Sequence, residues 1–202
     1  MCAKKRDTRK IILDAALKLF SEKGFSATTT REIAYEARCA EGTIFRYFPT
    51  KKDILISLAR PVALHGLKQV FEDLPETNDE TVLQNIMENR LKVISENMKL
   101  LKVIITEAQF HEEIRKEVYE NIGAEILGAL AGYIEKRIAK GIFRPLDSVI
   151  AARIFGGMFL SFLISKYMLP PEKFDEEDQK VYLQEIVNIF LHGVVKKEGD
   201  NT

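Results

Sequence analysis

Apolar residues recur with a period near 3.6 along almost the whole chain, and no stretch alternates apolar with polar residues between turn signals. That period keeps one face apolar on a helix but not on a strand, so the pattern predicts an all-α fold of about nine helices. In the first helix Ile12, Ala15, Ala16, Leu19 and Phe20 share a face, and Gly24 stands where a helix closes on a left-handed residue. Thr29 with Glu32 has capping-box spacing for a second helix bearing Ile33, Ala34 and Ala37. A break over 38–41 precedes a very short third helix, residues 42–48, stopped by Pro49. Thr50 with Asp53 caps a fourth, expected to bend at Pro61 and to end before Pro75. Longer helices are expected over about 79–96, 98–110, 112–140, 148–168 and 176–196, with Gly141 closing one and Asp147 capping the next.

The 202 residues, 46% hydrophobic and 30% charged, are enough for a substantial core and exclude a disordered or collagen-like chain. Cys2 and Cys39 make no CxxC and no Cys/His cluster, which favours a reducing, cytoplasmic setting over a disulfide framework. The first residues carry charges with no apolar stretch behind them, so no signal peptide is expected. The longest uncharged run, Ile154 to Ser165, has twelve residues. A membrane helix needs roughly 20, so no membrane span is expected.

Zero net charge conceals an asymmetry. Residues 1–60 carry thirteen Lys and Arg against seven Asp and Glu, and the remainder carries the opposite excess. A basic front on an acidic remainder suits a polyanionic partner, although charge blocks are also ordinary solvated surface. Two short helices about four residues apart, the second closed by a proline, have helix–turn–helix spacing. On the third helix Ile44, Phe45 and Phe48 are expected to pack inward, with Thr43, Arg46 and Tyr47 on the opposite side and Gly42 at the tip. A DNA reader needs that division: an apolar back to fix the helix and a front of donors for bases and phosphates. Arg46 is the candidate for bidentate contact with guanine and Tyr47 for a phosphate. Gly42 lets backbone approach closely, and Lys51 adds positive charge at the start of the next helix.

The residues Gly24-Phe25, Thr28-Thr29-Thr30-Arg31-Glu32-Ile33-Ala34, Ala37, Glu41-Gly42-Thr43-Ile44-Phe45-Arg46-Tyr47-Phe48 and Lys51 together resemble the DNA-binding domain of the tetracycline-repressor (TetR) family of bacterial transcription regulators. The resemblance covers residues 8 to about 55, and the segment Gly141–Asp147 is familiar from the same family. It implies a helix-turn-helix domain over 1–50, continuing into the fourth helix to about 60. A ligand-sensing and dimerisation domain would follow over 51–202. It also implies that Thr29 and Arg31 contact DNA backbone, that Glu41, Gly42, Thr43 and Arg46 face bases or nearby phosphates, and that Tyr47 and Lys51 hold phosphates. Arg38 departs from a frequent turn glycine, so either the turn opens differently or Arg38 adds a phosphate contact. Cys39 replaces an aliphatic residue and reads as a small core side chain. Glu41 would repel phosphate unless it accepts from a cytosine amine. Lys4, Lys5, Arg6, Arg9 and Lys10 read equally as a solvated terminus or as a DNA-contacting arm.

In the fifth helix Arg90 falls on the stripe of Leu83, Ile86, Met87 and Ile94. It is expected to meet a carboxylate such as Glu107 or to reach the bundle edge; the sharper alternative is an acidic group on a small molecule. By the resemblance, the middle helices enclose an effector cavity, for which Phe71, Met87, Arg90, Glu107, Phe110 and Tyr133 are candidates and an apolar or amphiphilic ligand is implied. The last two helices have broad apolar faces, with Phe155, Phe159, Phe162, Ile186, Phe190 and Val194 expected at a homodimer interface. His65, His111 and His192 have no metal-ligand spacing, so neither metal nor cofactor is expected.

The reading is a homodimeric regulator, most simply a repressor of a palindromic DNA operator released by a small-molecule effector, with an activator as the alternative. An enzyme is disfavoured because no Ser/His/Asp, Cys/His, P-loop or metal motif is present. A helical adaptor that binds protein would lack salt-dependent binding to double-stranded DNA.

Overall fold

A computed structural model describes residues 2–65, 78–167 and 175–194. The regular elements there are all helical: α1 (Cys2–Lys23), α2 (Thr30–Glu36), α3 (Glu41–Tyr47), α4 (Lys51–Ala63), α5 (Asp79–Glu96), α6 (Met98–Phe110), α7 (Glu112–Arg115), a π-helical segment (Lys116–Ile122), α8 (Gly123–Ala139), α9 (Ser148–Tyr167) and α10 (Glu176–Val194). Most ends are set by short-range chemistry. Thr29 and Thr50 each accept from the backbone of a carboxylate residue three positions on, and that carboxylate returns the bond. Gly24 and Gly141 take φ of +84° and +71°, the left-handed values that favour glycine. Asp147 Oδ1 accepts from the Val149 and Ile150 amides at 2.9 Å, capping α9.

Two boundaries differ from expectation. The single helix expected over 112–140 contains a π-helical stretch, in which the Gly123 amide bonds the Val118 carbonyl, five residues back. One residue too many for the α ladder is accommodated there without breaking the rod. Helix α4 keeps its form past Pro61 but closes at Leu64, and the rest of its expected length lies outside the described residues.

Contacts divide the chain into two units: Met1–His65 with Val93–Gly123, and Gly66–Lys92 with Ala124–Thr202. In the first, α1 packs on α2, α4 and α6. Ile12, Ala16, Phe20, Ile33, Ile44, Ile54 and Leu55 form its core together with Leu100, Ile104 and Ile114. In the second, Leu83, Met87, Ile134, Phe155, Phe162, Val187 and Phe190 lie in one cluster.

Helix α9 is long and apolar enough to cross a membrane by length and composition, which the twelve-residue uncharged run did not suggest. Arg153 and Lys166 bound that run without ending the helix. Its Ala151, Ala152, Phe155 and Phe162 stripe packs into the core of the second unit.

Candidate nucleic-acid interface

Seven residues make barely two turns, so α3 has room for one buried stripe. Ile44 and Phe48 fill it, at 0% and 2% exposure. Arg46 lies on the opposite side and is exposed, and Thr43 and Tyr47 are half-buried on its flanks. The Arg46 guanidinium rests 5.5 Å from the centre of the Tyr47 ring. Phe45, expected to pack inward, is 49% exposed instead. It stands roughly 100° around the helix from Ile44, beyond the edge of so narrow a stripe.

Gly42 is exposed, and a Cβ built on it would meet nothing within 4 Å. Among the described residues no neighbour requires glycine there. In α2, Arg31 is exposed in the first turn, and Tyr35, at 86% exposure, follows it one turn on along the same face. Arg38, in the turn between α2 and α3, is exposed with φ of +52°, a conformation glycine adopts without cost. Cys39 is half-buried, and desolvation pushes its thiol up. The side chains of Lys4, Lys5 and Arg6 lie outside what is described, whereas the Arg9 guanidinium sits 5.0 Å from the centre of the Phe48 ring, on the back of α3.

Three expected contact residues have partners inside the unit. Thr29 is occupied as the cap of α2, donating to Glu32 and accepting from its amide. The Thr30 hydroxyl donates to Glu41 Oε1 at 2.6 Å, joining the starts of α2 and α3. Lys51 donates to the carbonyls of Phe25 and Thr28, both at 2.7 Å, and of Ser26 at 3.5 Å. Its ammonium is 4.3 Å from the centre of the Phe25 ring. Burial pushes Lys51 below its ordinary value, and the charges of Glu107 and Glu32 act against that.

The effector-cavity candidates fare unevenly. Met87 and Tyr133 are buried in the core of the second unit. Tyr133 donates to Asp79, which also accepts from Arg137 Nη2 at 2.6 Å, so the phenol anchors the first turn of α5 to α8. Burial and that bond push the phenol well above its ordinary range. Arg90 is half-buried and donates to Asn89 Oδ1 from Nε at 3.2 Å, and desolvation pushes it down. Glu107 meets His111, Oε2 to Nε2 at 3.3 Å. Phe110, in the first unit, is 76% exposed, so the wall position expected for it is not where it stands. Phe71 lies outside the described residues.

The expected dimer face also needs correction. Phe155, Phe162, Ile186 and Phe190 are buried in the chain's own core, and Phe159 packs partly buried against it. The Val194 side chain lies outside the described residues. Helix α9 is apolar nearly all round, so periodicity could not say which stripe faces inward. The large apolar residues left exposed are Val149, Ile150, Ile154, Leu160 and Ile164 on α9, and Val181 and Ile189 on α10. Ile150, Ile154 and Ile189 help line an open cavity of about 390 Å³ between these helices, with Arg144 donating to the Gly193 carbonyl at its rim.

Comparison with known proteins agrees with this geometry. Residues 12–58 match the model of bacterial regulatory proteins of the tetR family. Residues 81–193 match the C-terminal domain of AefR-like transcriptional repressors. The HTH-type transcriptional regulator YvkB of Bacillus subtilis (strain 168) is 26% identical over 192 residues, covering 94% of this chain and 98% of that one. The fatty acid metabolism regulator protein of the same organism is 28% identical over 180 residues, covering 85% and 89%. The solved structure of the regulator FadR from Bacillus subtilis, in complex with stearoyl-CoA, superposes with a TM-score of 0.66 at 26% identity, covering 91% of this chain and 95% of that one. With one family match on the helix–turn–helix and a second spanning most of the remaining chain, the protein belongs to the TetR family of helix-turn-helix, DNA-binding bacterial transcription regulators.

Proposed function

We propose that the protein acts in the cytoplasm as a homodimeric repressor of a palindromic DNA operator, released by an apolar or amphiphilic small molecule. The observation that carries the DNA-reading part is the division of α3: Ile44 and Phe48 buried, Arg46 directly opposite and exposed. Arg46 and Thr43 read base edges, Arg31 and Tyr47 hold phosphates, and Gly42 admits the sugar–phosphate backbone. Phe45, exposed on the same short helix, suits the methyl group of thymine. DNA reading falls to residues 1–50, with α4 to about 60, and effector sensing and pairing fall to 51–202.

One such helix reads too few base pairs, whereas two related by a dyad read half-sites about 34–36 Å apart. The exposed apolar residues of α9 and α10 supply a surface for pairing, and a patch of that kind on a soluble chain marks an interface. The stearoyl-CoA bound by FadR supports an amphiphilic effector class here, with Arg90 as the group suited to an acidic head.

The test is selection of duplexes from a randomised library by the purified protein, with its mass measured by light scattering. A palindromic site bound by two chains is expected, and Ile154→Glu should give a monomer that binds it weakly. Failure to select any duplex would favour the protein-binding adaptor.

A further inference from the structure

Among the described residues, the buried polar or charged ones are Thr28 and Glu107. Both belong to one cluster in the first unit. Thr28, whose hydroxyl donates to the Gly24 carbonyl at 2.7 Å, ends the connector between α1 and α2. Lys51 clamps that connector through the Phe25 and Thr28 carbonyls, and the Phe25 ring is edge-on to His111, 5.8 Å between centres. Glu107, one turn before His111 on α6, has a buried Oε2 that accepts no hydrogen bond among the described residues, with the histidine Nε2 3.3 Å away.

A buried carboxylate is costly unless positive charge faces it. His111 Nε2 lies 3.3 Å from this one, and the Phe25 ring touches both that histidine and Lys51; neither His111 nor Lys51 is on the helix–turn–helix itself. His111 also forms the joint between α6 and α7, with extended backbone at φ −123° and ψ 109°. Beyond that joint Glu113 pairs with Lys52 at 2.8 Å and Glu117 with Arg60 at 3.0 Å, so acidic residues on α7 and the π-helical segment hold α4 along its length. The connector leads directly to Thr29, the cap of α2, and Lys51 follows α3 by one tight turn. The cluster therefore grips the helix–turn–helix at both of its ends.

We infer that Glu107 is a positioning residue for DNA reading, acting through His111, Phe25 and Lys51 on the connector that presents α2 and α3. This rests on the DNA-reading proposal. It adds that affinity is set in part by a carboxylate on α6 that never touches the nucleic acid. Lys51 belongs to the same device: its ammonium faces the Phe25 and Thr28 carbonyls and the Phe25 ring, and the Glu107 charge opposes the effect of burial on it.

The test uses the duplex that the wild-type protein selects from a randomised library, binding followed by fluorescence anisotropy at several salt concentrations, together with amide resonances of residues 25–28. Glu107→Gln should weaken binding about tenfold per folded molecule with the salt slope unchanged, because no phosphate contact is lost. The amides of the connector should shift, and Glu107→Asp, which keeps the charge, should restore most of the affinity. The Glu107→Gln and Lys51→Met effects should be less than additive, since both act on the same connector. Should Glu107→Gln fail to fold, His111→Gln carries the same readouts from a half-buried position. Binding within about twofold of wild type, additive effects or unmoved connector amides would overturn the positioning role while leaving DNA reading intact. A wild-type protein that selects no duplex would overturn both.

Discussion

Thr30 donates its hydroxyl proton to Glu41 across the helix–turn–helix at 2.6 Å, tying the first turn of α2 to the first turn of α3. A carboxylate that would otherwise face a polyanion is thereby given a role inside the unit. Glu41→Ala should lower stability by about 0.5–1.5 kcal/mol, the usual net value of one hydrogen bond. Removal of the charge should leave duplex affinity unchanged or slightly higher. Chemical denaturation and anisotropy on the same sample measure the two effects.

Gly42 should give effects of opposite sign. Among the described residues nothing occupies the space of a Cβ there, and a glycine in a helix costs about 0.5–1 kcal/mol relative to alanine. Gly42→Ala should therefore stabilise the free protein by about that amount while weakening duplex binding. A variant that is more stable and binds as well as wild type would show that no backbone approaches this position.

Lys51 reads from sequence as a phosphate contact, yet three carbonyls already surround its ammonium. Lys51→Met should cost about 1–3 kcal/mol of stability, since hydrogen bonds from a charged donor are among the stronger ones. It should weaken duplex binding without changing the salt slope, whereas loss of a phosphate contact lowers that slope by about one unit.

Acid should reach α2 through Glu32. Its carboxylate bonds Lys23, then the amide and hydroxyl of Thr29, which together lower it to about 2 from an ordinary 4.5. A folded value below the unfolded one means the ionised form stabilises. The contribution is complete above about pH 4.5 and is lost as the pH falls through about 2. Thermal midpoints followed by circular dichroism should fall less steeply across that window in Glu32→Gln than in wild type. Equal slopes would mean that the capping box contributes nothing in acid.

The legible parts of the fold are those written in short-range chemistry. The boxes at Thr29 and Thr50, the left-handed glycines at 24 and 141, and the Asp147 cap are each decided within about four residues. The outward positions of Arg31, Gly42 and Arg46 follow from the same periodicity. The inward side was harder to read. Phe45 lies beyond the edge of a stripe two residues long, and on α9 apolar residues cover nearly every face, so which ones a neighbour buries depends on packing from distant sequence. The Lys51–Phe25 contact joins residues 26 positions apart and the Phe25–His111 contact residues 86 apart, and neither has a local signature.

The salt dependence of duplex binding tests the central claim most directly, that the exposed side of α3 meets the DNA backbone and bases. For the duplex selected by the wild-type protein, a plot of log affinity against log salt between about 50 and 200 mM should be linear, with a slope of about −5 or steeper if six phosphates are engaged. Arg46→Ala should bind more weakly and discriminate less among base substitutions at one position of each half-site. A duplex affinity independent of salt, or an Arg46→Ala protein with wild-type affinity and base preference, would contradict the account.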